Sequence, residues 1–168
     1  MGNAIEIDGL RIVDSSKAGS VHALENINLV AQDGELLAVL GPSGCGKSTL
    51  MKVIAGLLSP RRGTIKVYDE AVRGPTPNVG IVFQNAVLMN WRSAIKNIML
   101  QVEVRGLDYE THRQRALDLI KLVGIEGFEN HYPFQLSGGM QQRASICRAL
   151  IHAPPSCSWM SPSGRWTP

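Results

Sequence analysis

Long apolar runs are missing from this chain. Among its 168 residues no stretch of about 18 apolar residues occurs, the length a helix needs to cross a bilayer, so no membrane-spanning helix is expected. Dense basic clusters are missing too. Net charge is +3 and the Lys and Arg residues are dispersed, which argues against a nucleic-acid partner. Cysteine is scarce. Cys45, Cys147 and Cys157 are odd in number and lack metal-type spacing, so free thiols in a reducing cytosol are the expectation. The opening Met1-Gly2-Asn3-Ala4-Ile5-Glu6-Ile7-Asp8 lacks the basic and then apolar regions of a signal peptide. Aromatics make up only 5% of residues, and none precedes Tyr68. What is present suits one globular domain: 44% hydrophobic and 18% charged residues.

Periodicity predicts the order of elements. Residues 4–30 alternate apolar and polar through Ile5, Ile7, Leu10, Ile12, Ile27 and Leu29, with a break at Gly19-Ser20. Two or three antiparallel strands are expected there. Leu36-Leu37-Ala38-Val39-Leu40 is a continuous apolar run, the pattern of a strand buried on both faces. A helix is expected from about Lys47 to Leu57, with Leu50, Val53, Ile54 and Leu57 on one face, ended by Pro60-Arg61-Arg62-Gly63. Residues 64–68 and 79–83 read as strands. From 91 to 152 the chain reads mainly as helix. Asp108 caps a helix with Ala116, Leu119, Ile120 and Val123 on its apolar face, stopped by Gly124. Another helix opens at Ser137-Gly138-Gly139 and carries Ile146, Ala149 and Leu150. The alternation of strands and helices indicates an α/β core.

Two separated segments carry the chemistry. Gly41-Pro42-Ser43-Gly44-Cys45-Gly46-Lys47-Ser48-Thr49 fits G-x-x-x-x-G-K-[ST], a phosphate-binding loop between an expected strand and an expected helix. Its glycines let backbone N–H groups turn inward around α- and β-phosphates. The helix N-terminus adds its positive end. Lys47 is placed to reach the β- and γ-phosphates, and Ser48 to ligate Mg²⁺. The second segment is Leu136-Ser137-Gly138-Gly139-Met140-Gln141-Gln142-Arg143, with a capping Ser and two glycines at a helix start.

Together these segments resemble the ATP-binding subunit of ABC transporters, importer type, over about residues 4–152. The resemblance implies a P-loop nucleoside triphosphate hydrolase core with an N-terminal antiparallel β subdomain and a helical subdomain over about 86–137. It implies ATP and Mg²⁺ as cofactors. It implies a head-to-tail homodimer in which Ser137, Gly138 and Gly139 of one copy grip the γ-phosphate held by the other's loop. Gln84, in Ile81-Val82-Phe83-Gln84-Asn85, resembles the family's Gln that helps position Mg²⁺ and the attacking water. A transmembrane permease subunit, and through it a periplasmic or surface solute-binding protein, would be the partners. The location implied is the cytoplasm, peripheral on the inner face of the membrane. Residues 87–92 are either a permease-docking face, as in the family, or plain core packing. The stretch 21–29 and the spacing of Gln84, Trp91 and Gly106 look most like the branch importing nitrate, sulfonates or taurine.

The chain departs from the family twice. The aromatic that stacks on adenine should fall near Val13-Asp14, where none occurs. Its absence weakens adenine binding by about 1–3 kcal/mol. The family also continues past the signature helix with an apolar strand ending in Asp-Glu, then loops bearing Asp and His. Here the chain reads Pro154-Pro155-Ser156-Cys157-Ser158-Trp159-Met160-Ser161-Pro162-Ser163-Gly164-Arg165-Trp166-Thr167-Pro168 instead. Residues 1–155 are therefore expected to be an incomplete ATP-binding domain, its C-terminal part missing, and 156–168 a tail foreign to it. The expected result is a subunit that binds ATP but hydrolyses it poorly. A non-catalytic nucleotide-binding or dimerising module is the alternative. ABC ATPases acting on DNA or ribosomes usually carry long insertions or paired domains, for which 168 residues leave no room.

The genetic code accounts for the tail. Trp and Met have one codon each. Read one base early, Trp159-Met160 forces an Asp codon, and Trp166-Thr167 forces another seven positions later. Allowed codons between them spell Leu-Leu-Leu-Asp-Glu-Pro-Val-Gly-Ala-Leu-Asp-Ala, the missing strand and carboxylate pair. The coding DNA should therefore restore the family pattern when the frame is shifted near codon 155. Sequencing codons 150–168 checks this, and a reading in which no single-base shift yields Asp-Glu-Pro overturns it.

Overall fold

The computed structural model describes residues 2–16, 19–154 and 156–159. The chain divides into two compact units, Met1–Val79 and Gly80–Trp159.

The first unit is built on a long hairpin. Strand β1 (Asn3–Ser16) pairs antiparallel with β2 (Gly19–Gln32), in a register that sets Ile7 opposite Leu29 and Ile12 opposite Leu24. Gly19 and Ser20 belong to β2 rather than breaking it; residues 17–18 lie outside the described residues. On β1's other side lies β3 (Arg62–Val67), also antiparallel, followed by β4 (Glu70–Ala71), giving the order β2-β1-β3-β4. Strict alternation would send Ile7 and Leu10 to opposite faces. A register shift between them puts both in the core. Gly9, in the left-handed region at φ 56°, donates its N–H to Asn28 Oδ1 at 2.8 Å and so pins the bulge. The buried face collects Ala4, Ile7, Leu10, Ile12, Leu24, Ile65 and Val67.

Helix α1 (Lys47–Ile54) buries Leu50, Val53 and Ile54. It stops earlier than its apolar pattern suggests. Ala55 is its C-cap, Gly56 adopts φ 73°, Gly56 N–H bonds Val53 O, and Leu57 N–H bonds Lys52 O at 2.8 Å. That paired closure ends the helix at Ile54, three residues before the expected Leu57, so Gly56 does the work expected of residues 60–63, and Leu57 is left exposed.

The strand expected at 36–40 is not formed. Residues 35–42 carry no ladder, Leu36 is 95% exposed and Leu40 82%. A strand apolar on both faces needs a hydrogen-bonding neighbour on each edge. Among the described residues, the four-stranded sheet ends in β2 and β4, and the remaining sheet holds only two strands.

The second unit is mainly helical. Strand β5 (Val79–Val82), whose first residue closes the first unit, pairs with β6 (Ser156–Trp159). Part of the expected foreign tail thus adopts strand structure; residues 160–168 lie outside the described residues. Helices α2 (Ala94–Ile98), α3 (Leu100–Arg105), α4 (Tyr109–Leu122) and α5 (Gly138–Leu150) surround one core of Ile98, Met99, Val102, Ala116, Ile120, Ile125, Ala144, Cys147 and Ile151. Asp108 caps α4 as expected, its carboxylate accepting from Thr111 N–H at 2.8 Å. That bond holds the Asp108 carboxyl below its usual range. Gly124, at φ 69°, ends the helix with Ile125 N–H on Ile120 O. The buried face of α5 differs from expectation. Ala144, Ser145, Cys147 and Ala149 are buried, whereas Ile146 and Leu150 are only half-buried. Small residues let α5 pack close, and burial pushes the Cys147 thiol up to about 12.

Lysine at an exposed site changes little, whereas in a buried strand it is severe. Leu36→Lys and Leu40→Lys together should leave urea stability within about 0.5 kcal/mol and shift higher-order species toward monomer on sizing chromatography. A loss above about 2 kcal/mol would mean that the segment is buried.

Candidate functional site

The loop from Gly41 to Gly46 is entered from the unpaired 35–40 segment and delivers the chain into α1. Gly46 is the N-cap, in the left-handed region at φ 95°, with no side chain to cap the helix. A Cβ there would lie 2.5 Å from Ala23 O and 2.7 Å from Leu24 Cδ2, so both conformation and space exclude a larger residue. The glycine seats the loop directly on β2. Leu50 N–H makes the first intrahelical bond, to Gly46 O at 2.9 Å. The amides of Gly46, Lys47, Ser48 and Thr49 precede it and have no acceptor within the helix.

Lys47 folds back over the loop. Its Nζ donates to Gly41 O and Pro42 O, both at 2.7 Å, and lies 3.6 Å from Cys45 Sγ. The ammonium is thus held among loop residues, of which Pro42, Ser43, Gly44 and Cys45 are exposed. One fixed cation, four free amides and a helix N-terminus make a fit for a polyphosphate. The fit for Mg²⁺ is of another kind. Ser48 offers an exposed hydroxyl, but among the described residues no group of three or more His, Cys, Asp or Glu could hold a metal. Such a site takes Mg²⁺ together with the phosphates rather than alone.

In the second unit Ser137 is the N-cap of α5. Its Oγ accepts from Met140 N–H at 3.2 Å. Gly138 and Gly139 are exposed, and a Cβ on either would meet nothing within 4 Å. Packing therefore does not demand them, and the space beside this helix end is open. The start of α5 is braced by Gln141, whose Nε2 donates to Pro133 O at 2.9 Å and Leu136 O at 3.2 Å. Arg143 donates to Val123 O at 3.1 Å and so satisfies the C-terminal end of α4.

Gln84 is exposed just beyond β5. Its preceding carbonyl, Phe83 O, accepts from Gln142 Nε2 at 3.1 Å. Val87 O accepts from Arg148 at 2.6 Å, and burial lowers the pKa of that guanidinium. Asn97, fully buried, holds the next stretch. Its Oδ1 accepts from Met89 N–H at 2.7 Å, and its Nδ2 donates to Met89 O, Arg92 O and Ser93 O between 2.9 and 3.1 Å. Residues 87–92 divide between core and surface. Leu88 packs on the core, while Val87 is 59% and Trp91 75% exposed. Sequence reasoning missed Asn97, Gln142 and Arg148. Asn97 left one signal, a lone amide in the apolar stripe Ala94-Ile95-Ile98. At the expected adenine position Val13 lies opposite His22 in the β1–β2 ladder; the side chains of 14–22 lie outside the described residues.

Comparison with known proteins follows this geometry. The ABC transporter family matches residues 24–157. An uncharacterized ABC transporter ATP-binding protein of Methanocaldococcus jannaschii is 43% identical over 150 residues, 89% of this chain and 56% of that protein. The taurine import ATP-binding protein TauB of Yersinia pestis is 44% identical over 132 residues, 79% of this chain and 52% of its own length. The chain spans about half the length of the curated relatives it matches. Among solved structures, the dimeric post-hydrolysis state of the ATP-binding cassette MJ0796 bound to ADP and Pi has a TM-score of 0.83 at 31% identity, covering 92% of this chain and 72% of that one. CbiO1 of Clostridium perfringens, part of an ABC transporter complex, has a TM-score of 0.75 at 26% identity, covering 95% of this chain and 65% of that one.

Asn97→Leu takes its side-chain bonds from one amide and three carbonyls at once; Met89 O and Ser93 O keep the Arg92 and Asn97 N–H donors, while Met89 N–H and Arg92 O are the groups left exposed to the loss. The expected loss is about 2–4 kcal/mol, measured by urea denaturation followed through Trp91 fluorescence. The exposed neighbour Lys96→Ala should change stability by less than about 0.5 kcal/mol. Equal behaviour of the two variants would contradict the anchoring role.

Proposed function

The chain belongs to the ABC transporter family of ATP-binding proteins, and on that premise we propose that it binds Mg-ATP as the nucleotide-binding part of an importer subunit. One observation carries this reading: the Lys47 ammonium and the free amides of α1 converge on the loop 41–46. The free amides of the loop, among them those of Ser43, Gly44 and Gly46 but not Pro42, which has none, cradle the α- and β-phosphates, and Lys47 neutralises the β- and γ-phosphates. Thr49 closes the first turn of α1. Ser48 would offer its hydroxyl to Mg²⁺ and Gln84 its side-chain carbonyl, and the metal would supply charge neutralisation to the phosphates.

In the same reading two copies pack head to tail. Ser137, Gly138 and Gly139 then present a helix N-terminus to the γ-phosphate on the partner copy. The open space at both glycines supports this, as does the dimeric state of the MJ0796 cassette. The exposed Val87 and Trp91 face a permease subunit at the inner side of the membrane, with a solute-binding protein engaged only through that permease. No helix among the described residues is long and apolar enough to cross a membrane. The taurine-import relatives support a small organic solute as cargo.

Residues 1–155 act as an incomplete ATP-binding domain, with 86–137 as its helical subdomain and 156–168 as a foreign tail. Binding is retained and water activation is not, because residues 156–168 hold no Asp, Glu or His. The second reading, a non-catalytic nucleotide-binding or dimerising module, is favoured by the ladder-free 36–40 segment.

Calorimetry should show weak Mg-ATP binding, with GTP within about tenfold, and no binding by Lys47→Ala. Unchanged affinity in that variant overturns the site. Phosphate release should stay near background, since a missing general base alone removes roughly 10²–10⁴-fold. A turnover of about 1 s⁻¹ or more overturns the catalytic defect.

A further inference from the structure

Residues 83–93 of the second unit are tethered at three places and free at two. Gln142 holds Phe83 O, Arg148 holds Val87 O, and Asn97 holds Met89, Arg92 and Ser93. The untethered gaps are 84–86 and 90–91, and they contain the exposed Gln84 and Trp91. Two of the three tethers come from one helix, α5, whose N-terminal turn is Gly138 onward from the Ser137 cap.

We propose that Gln142 and Arg148 are positioning residues that make α5 a strap across the Gln84 segment, fixing how Gln84 and Trp91 are presented. The proposal rests on the role assigned to Gln84 above. A half-buried guanidinium is an expensive way to fill space. Burial disfavours its charge, its recorded partner is a neutral carbonyl, and among the described residues no carboxylate forms an ion pair with it. An apolar side chain of similar length avoids that penalty. What the guanidinium adds is a charge-assisted bond to one particular carbonyl, three residues beyond Gln84. Gln142, a neutral amide, bonds the carbonyl one residue before Gln84. Both carbonyls flanking the Gln84–Ala86 gap are therefore referenced to α5, as are Ser137, Gly138 and Gly139 at its start. A displacement of α5 moves the signature residues and the Gln84 segment together.

The test uses the full chain with Trp159→Phe and Trp166→Phe, leaving Trp91 as its one tryptophan. Without nucleotide, Arg148→Met should lower the fluorescence anisotropy of Trp91. It should also speed tryptic cleavage after Arg92 roughly tenfold, the scale of one lost charged hydrogen bond. With ATP, the gain in affinity on adding Mg²⁺ should fall about tenfold, as for lost support behind a metal ligand, while Mg²⁺-free ATP affinity holds. Arg148→Lys should restore part of each effect. In a Gln84→Ala background Arg148→Met should have no further effect on the Mg²⁺ gain. Gln142→Met, read the same way, carries the test if Arg148→Met loses its helical circular dichroism. Unchanged Trp91 anisotropy and cleavage overturns the strap. Lost Trp91 order with an unchanged Mg²⁺ gain overturns the positioning role. If Lys47→Ala binds ATP normally, the nucleotide-binding reading fails separately, because the nucleotide-free measurements still decide the strap.

Discussion

Each backbone N–H and C=O withdrawn from water needs a partner, and the second unit meets that need around 83–93 with side chains instead of a ladder. Asn97 uses one acceptor and both amide hydrogens on the loop that follows Val87. It can do so only from full burial, where competing water is absent and an unmade bond is most damaging. The loop's irregular path is thereby made as definite as a helix. Leu88 turns into the core while Val87 and Trp91 stay outside. Without the amide, the same residues would be ordinary apolar filler with no reason to split between the two environments.

The same requirement explains the weak point of the first unit. Residues 36–40 have the side chains of a buried strand but no neighbouring strand to receive their amides. Side-chain pattern alone does not hold a strand; pairing does. Apolar residues left on an open backbone edge favour association with another chain. The stable hairpin and the ladder-free segment therefore follow from one rule, applied once with partners present and once without.

Legibility in sequence tracks the range of the interactions involved. The Asp108 cap and the Gly124 stop depend on residues within one helical turn, and both were readable. So were the β1–β2 hairpin and the helix starts at Lys47 and Gly138. The end of α1 was misjudged because Gly56 looks like any glycine until its neighbours close the paired bonds onto Val53 and Lys52. The strand at 36–40 was misjudged because its existence depends on a partner distant in sequence. Gln142 and Arg148 act across 59 and 61 residues, a separation that carries no periodic signal. Their side chains read as the polar face of a helix until the structure shows which carbonyls they reach.

That contrast in range also separates the two halves of the proposed activity. The phosphate loop is assembled from near neighbours: Lys47 on Gly41 and Pro42, Gly46 on Ala23 and Leu24, and a helix that starts within the motif itself. Its anion-binding field comes from amides and one ammonium, so it persists wherever the β1–β2 hairpin supports it. Water activation is different. In the proposed reading it would need a carboxylate at the end of a strand that pairs with residues such as 36–40. The ladder-free 36–40 segment and the proposed lack of that carboxylate would then have one structural origin. Nucleotide affinity and turnover should respond separately to changes in this chain, affinity following the loop and turnover following the missing strand.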